Sequence, residues 1–130
     1  MNYNFTNSTH CKYKIMKTPY YIFDLQIVKS NYYKYKALFP ECEVYYSTKA
    51  NSDKTILHSM IPYVDGIEIS SIKEFDILKR MKFDITRISY GIPIKSREEI
   101  EYLGMHGCKV FVADSICELM KIRKSCPTST

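Results

Sequence analysis

Tryptophan is absent from this 130-residue chain, whose aromatic content is 12 tyrosines and 6 phenylalanines. Charge of one sign is never concentrated. The 19 Lys and Arg set against 14 Asp and Glu leave a net +5 spread along the sequence, without a block of like charges. That dispersion speaks against a nucleic-acid partner, which needs a clustered basic face, while still allowing an anionic ligand to be attracted. No C-x-x-C pair occurs among Cys11, Cys42, Cys108, Cys117 and Cys126, and none of His10, His58 and His106 lies at finger spacing from a cysteine. The expectation is therefore no metal site and free thiols in a reducing compartment. No apolar run reaches the length of a bilayer span, and the N-terminus lacks a basic start followed by an apolar stretch. The sequons Asn4-Phe5-Thr6 and Asn7-Ser8-Thr9 are thus read as chance, and a soluble, cytoplasmic protein with no membrane partner is expected.

What is present is a core-forming chain, 45% hydrophobic, with a repeating order. Residues 1–18 are polar without a period and read as a disordered leader. Residues 19–124 read as one domain of alternating strands and helices, and 125–130 as a polar tail. Strands are expected at 20–23, 43–48, 66–70, 85–91 and 109–114. Helices follow from Asp24 to about Phe39, from Asn51 to Ile61, from Ser71 to Met81, from Ser96 to His106, and from Ser115 to Lys124. Three helices open on S-x-x-E: Ser71 with Glu74, Ser96 with Glu99, and Ser115 with Glu118. Each reads as a box in which the Ser oxygen accepts an orphan amide and the Glu reaches back to the cap amide. Strand starts near 44, 66, 86 and 109 give βα units of even length, hence a parallel sheet with right-handed crossovers. A closed eight-unit barrel takes about 250 residues. Periodicity leaves open whether these units form a small open sheet or half of such a barrel.

The second strand holds the residues that suggest chemistry. With a period of two, Tyr45, Ser47 and Lys49 share one face, and Val44, Tyr46 and Thr48 the other. Lys49 falls at the C-terminal end of its strand, where parallel α/β folds carry their ligand sites. Partial desolvation there lowers an amine's pKa and makes it nucleophilic toward an aldehyde. A solvated strand-end lysine would read the same way from position alone.

The segment Tyr46-Ser47-Thr48-Lys49-Ala50-Asn51 resembles the Y-A-V-K-A-N or Y-A-V-K-C-N motif of the pyridoxal-phosphate decarboxylases of the alanine-racemase-like fold (fold type III), the ornithine, diaminopimelate and arginine decarboxylase family. Four further segments follow suit in order. Thr18-Pro19-Tyr20-Tyr21-Ile22-Phe23-Asp24 is similar to T-P-F-Y-V-Y-D, and Gly66-Ile67-Glu68-Ile69-Ser70-Ser71 to G-F-D-C-A-S. Ile88-Ser89-Tyr90-Gly91-Ile92-Pro93-Ile94-Lys95 is similar to I-I-Y-A-N-P-C-K. The stretch from Val110 to Ser115 with Glu118-Leu119 is similar to V-x-x-F-D-S-x-x-E-L.

The resemblance implies about half of a TIM-type (β/α)8 barrel, preceded by one strand that in the family joins a C-terminal β-domain. It implies that Lys49 holds pyridoxal 5'-phosphate covalently and that Glu68, at a position where the family has Asp, lies beside the cofactor. Pro93 then shapes a turn, and Lys95 reads as a surface charge at a helix entry. His58 and His106 read as solvent-facing, and Cys42 and Cys108 as small core residues. The implied activity is decarboxylation of an amino acid, ornithine above the others, in polyamine biosynthesis. The implied partner is a second copy or a complementary decarboxylase chain. In the family the later half supplies most of the cofactor grip, so these 130 residues alone are expected to be inactive. Alternatives are a non-catalytic interaction protein derived from the family, or one half of a split enzyme.

Overall fold

A computed structural model describes residues 2–6 and 20–130 of the chain. Two strands, β1 (Asn2–Thr6) and β2 (Tyr20–Asp24), pair in parallel with Asn2 opposite Tyr20 and Thr6 opposite Asp24. Asp24 turns the chain into helix α1 (Leu25–Leu38), its carboxylate accepting the Gln26 amide at 2.8 Å in place of an intrahelical partner. The helix ends at Phe39, whose amide donates to the Tyr35 carbonyl, just before Pro40, which cannot continue it.

Four βα units follow: β3 (Tyr45–Ser47) and α2 (Lys54–Met60), β4 (Gly66–Ile69) and α3 (Ile72–Arg80), β5 (Ile88–Tyr90) and α4 (Arg97–Met105), β6 (Val110–Phe111) and α5 (Ile116–Ser125). The four strands form one parallel sheet in the order β3-β4-β5-β6. This order decides what periodicity left open. A doubly wound sheet reverses direction at a switch point, whereas here each new strand adds on the same side of the last, as in the arc of a (β/α)8 barrel.

The two faces of that arc differ. Ile67, Ile69, Ile88, Tyr90 and Phe111 point one way and are buried against the helices. The helices meet them with residues three or four apart: Ile56, Leu57 and Met60 from α2, Phe75 and Leu78 from α3, Ile100 and Leu103 from α4. Each such side chain contributes about 1.5–3 kcal/mol on burial. The opposite face carries Tyr45, Ser47, Gly66, Glu68 and Ser89, none of which belongs to the hydrophobic core. The rim at the strand N-termini is tied by polar contacts. Asp65 accepts the Val44 amide at 2.7 Å and pairs with Lys36 at 3.3 Å, while Arg87 Nε donates to the Asp65 carbonyl at 2.8 Å.

Several expectations are corrected. Part of the stretch read as a leader is a strand, β1; its Asn2-Tyr3-Asn4-Phe5-Thr6 alternation is the period-two signal of one, obscured by the asparagines. The rest of that leader lies outside the described residues. Residues 85–87 form a 3-10 turn rather than strand, because Asp84 accepts the Thr86 amide at 3.0 Å and its hydroxyl at 2.7 Å. The segment 125–130 is no loose tail. Ser125 ends α5, Cys126 is 4% exposed, and Thr130 bridges β6, donating to the Lys109 carbonyl at 2.8 Å and accepting from the Phe111 amide at 3.2 Å. That is the bond pattern of a parallel neighbour. Cys42 is exposed, whereas Cys108 is buried as expected, with burial pushing its thiol up to about 11. His58 is exposed as expected, but His106 is half-buried, its Nδ1 2.8 Å from the Tyr102 carbonyl.

Of the three helix-opening boxes, only Ser96 with Glu99 closes reciprocally. Glu74 accepts the Ser70 amide one residue upstream, at 2.6 Å. Glu118 is diverted to another partner altogether.

Candidate active site

The C-terminal end of β3 is pinned residue by residue. Thr48 is buried, and both its amide and its hydroxyl donate to the Glu68 carbonyl, at 2.9 and 3.0 Å. The Ala50 amide donates to the Ser47 carbonyl at 3.1 Å, closing the turn that carries Lys49. Tyr46 Oη donates to the Asn51 carbonyl at 2.9 Å. Asn51 Oδ1 accepts the Asp53 amide at 2.9 Å, and Asp53 caps α2 through the Thr55 amide at 2.8 Å. Lys49 is exposed in the middle of this network and makes no hydrogen bond or ion pair among the described residues. The backbone beneath the amine is fixed while the amine itself stays available.

Glu68 sits on the neighbouring strand, in register with Ser47. The Ser47 hydroxyl donates to Glu68 Oε1 at 3.0 Å. Ser47, expected on one face with Tyr45 and Lys49, is thus in direct contact with Glu68 of the next strand, and Lys49 follows Ser47 by two residues. The period of two sets Ser47 beside Lys49 without giving it a role, and its pairing with Glu68 comes from the β3–β4 register, a tertiary fact.

A second polar cluster borders the same end of the sheet, and it overturns the reading of Lys95 as a surface charge. Its side chain is fully buried, with Nζ donating to the Ile92 carbonyl at 2.6 Å and to the Val112 carbonyl. Glu118 Oε1 lies 3.5 Å from that nitrogen and accepts the Lys95 amide at 2.9 Å. Lys121 completes the cluster, 2.6 Å from Glu118 Oε2 and donating to the Lys95 carbonyl at 2.5 Å. Burial lowers the Lys95 pKa, and Glu118 opposes that shift. Burial would raise the Glu118 carboxyl, but hydrogen bonds from Lys121 and the Lys95 amide outweigh it and hold the group below its ordinary value. The cluster ties the loop after β5 to α5 and to the chain beyond β6. Its role is to hold the mouth of the arc in shape.

An arc of parallel strands bearing an unencumbered lysine and a hydrogen-bonded carboxylate at its C-terminal mouth defines a class of site, and comparison gives the family. The model of the pyridoxal-dependent decarboxylases, pyridoxal binding domain, matches residues 25–130, and the chain belongs to that family. Its cofactor is pyridoxal phosphate.

The chain is 31% identical over 105 residues to 2-[(L-alanin-3-ylcarbamoyl)methyl]-2-hydroxybutanedioate decarboxylase of Staphylococcus aureus, covering 79% of this chain and 26% of that protein. It is 23% identical over 111 residues to ornithine decarboxylase of Mus musculus, covering 85% of this chain and 24% of that protein. Among solved structures, a diaminopimelate decarboxylase variant of Helicobacter pylori complexed with L-lysine superposes with a TM-score of 0.70 at 28% identity, covering 85% of this chain and 28% of that one. The chain spans about a quarter of the length of these relatives. No helix among the described residues is long and apolar enough to cross a membrane.

Proposed function

We propose that the chain is the N-terminal barrel portion of a pyridoxal-phosphate-dependent amino-acid decarboxylase, with ornithine as substrate, and that Lys49 is the residue that binds the cofactor covalently. The observation that carries this reading is the contrast at the end of β3: every neighbour of Lys49 that can fix the turn does so, and the lysine amine has no partner among the described residues. The residues present fit the cofactor's needs in part. A primary amine stands at the mouth, and a carboxylate lies one strand over, held by Ser47. When bound, the cofactor supplies an electron sink for the carbanion left by loss of carbon dioxide. What this chain contributes is the amine that anchors the group, the Thr48 clamp that fixes that amine's backbone, and the Glu68 carboxylate beside it.

The groups that grip the cofactor's phosphate and ring in the family come from later segments, so the 130 residues alone are proposed not to turn over ornithine. In the whole protein we propose an amino-acid substrate and a second decarboxylase chain as partner, in the cytoplasm. The test is an absorbance titration of the chain with pyridoxal phosphate beside Lys49→Ala. A saturable band in the parent that the variant lacks supports the reading. Equal, weak, unsaturable labelling of both overturns it and leaves the non-catalytic interaction protein as the better account.

A further inference from the structure

Gly91 follows β5, and its amide donates to the Ile69 carbonyl at 2.9 Å. Its backbone does not lie in the left-handed region that demands glycine, so the reason for a glycine here is space. A Cβ built on Gly91 would lie 2.5 Å from Glu68 Cδ and 2.7 Å from both Cγ and Oε2. All three nearest atoms belong to one side chain. The Glu68 carboxylate occupies the volume that any other residue at 91 would fill.

Two departures from the decarboxylase motifs thereby meet. Glu68 stands where the resembled motif G-F-D-C-A-S has Asp, one methylene shorter. Gly91 stands where the motif I-I-Y-A-N-P-C-K has Ala, one methyl larger. They are 23 residues apart in sequence and in contact in the fold. Close-packed groups tolerate a change of size when a facing group changes by the opposite amount.

We propose that Gly91 is a positioning residue for Glu68. Ser47 holds Oε1 from the β3 side, and the absent side chain of Gly91 gives the rest of the carboxylate its seat on the β5 side. Gly91 acts only through Glu68. The atoms that would clash with an added methyl are the movable end of that side chain, so Gly91→Ala evicts the carboxylate from its seat and leaves the backbone in place. The inference rests on the reading of the Lys49–Glu68 end of the sheet as the cofactor site.

The experiment is a double-mutant cycle on the 130-residue chain: parent, Gly91→Ala, Glu68→Asp, and both together. Two readouts are taken, the apparent affinity for pyridoxal phosphate by absorbance and the thermal midpoint without ligand. Gly91→Ala is expected to weaken pyridoxal phosphate binding about tenfold when residue 68 is Glu and by less than about twofold when it is Asp. The midpoint is expected to fall by about 4 °C on the Glu background and to stay unchanged on the Asp background. Equal effects of Gly91→Ala on both backgrounds, in either readout, overturn the proposal. If the parent shows no saturable binding, the cofactor reading fails by itself, and the midpoint cycle still decides whether Gly91 seats Glu68.

Discussion

Ser47 and Glu68 face each other across β3 and β4, with the Ser47 hydroxyl donating to Glu68 Oε1 at 3.0 Å. The hydroxyl is half-buried and the carboxylate has no other side-chain donor among the described residues, so this bond alone fixes its orientation from the β3 side. Ser47→Ala is expected to weaken pyridoxal phosphate binding severalfold and to change stability by about 1 kcal/mol or less, since a hydrogen bond to a charged but solvated group has a modest net worth. Parallel urea titrations and absorbance titrations of the two proteins check this. A large loss of stability with unchanged binding would assign Ser47 a purely structural role.

Glu118 makes the mouth of the arc acid-sensitive. Its folded-state pKa lies below the ordinary 4.5, so the native state favours the ionised carboxylate more than the unfolded chain does. The stability this gives is fully present above about pH 4.5 and is lost as the pH falls through the folded-state value. Glu118→Gln leaves Lys95 buried beside a neutral amide. It is expected to lower stability at pH 7 by about 3 kcal/mol or more and to flatten the acid limb below pH 4.5. Urea unfolding of both proteins between pH 7 and pH 3 measures the two effects together. An acid limb as steep in the variant as in the parent would show that other carboxylates carry it.

Tyr90 is fully buried on the helix-facing side of β5, and its hydroxyl faces the Glu99 carboxylate without completing a hydrogen bond of ordinary geometry among the described residues. Burial raises its pKa above the usual phenol range, and nearby Glu99 and Glu74 add to the effect. A buried donor left unsatisfied costs about 1–3 kcal/mol. Tyr90→Phe keeps the ring and its edge contact with Phe111, 6.3 Å between centroids, and is expected to stabilise the chain by about 1 kcal/mol. A thermal midpoint that falls in the variant would reveal a partner for the hydroxyl.

Local signals in the sequence located the βα units well. Asp24, Ser71, Ser96 and Ser115 each cap the helix expected of them, because a cap is chemistry between residues two or three apart, while the helix expected to open at Asn51 is capped two residues later by Asp53. Lys49 and Glu68 stand as candidates through motif resemblance, and the period of two sets Ser47 and Lys49 on one face. What stayed hidden depends on contacts between distant segments. Glu118 reads as the third residue of a capping box, yet it leaves that role for Lys95, 23 positions earlier, and no spacing rule discloses that choice. Lys95 read as a surface charge because lysines are seldom buried, and here three carbonyls and a carboxylate surround it. Gly91 shows its meaning only beside Glu68. The order β3-β4-β5-β6, which separates a barrel arc from an open sheet, is likewise a tertiary fact.

On the proposed reading, Lys49 captures pyridoxal phosphate ahead of the other lysines. Borohydride reduction of the chain after incubation with a slight excess of pyridoxal phosphate, followed by peptide mass mapping, tests it directly. The pyridoxyl group is expected on the peptide that holds Lys49, with other lysines labelled only at high excess. Label spread evenly over the exposed lysines, with Lys49 no more modified than Lys54 or Lys124, would contradict it.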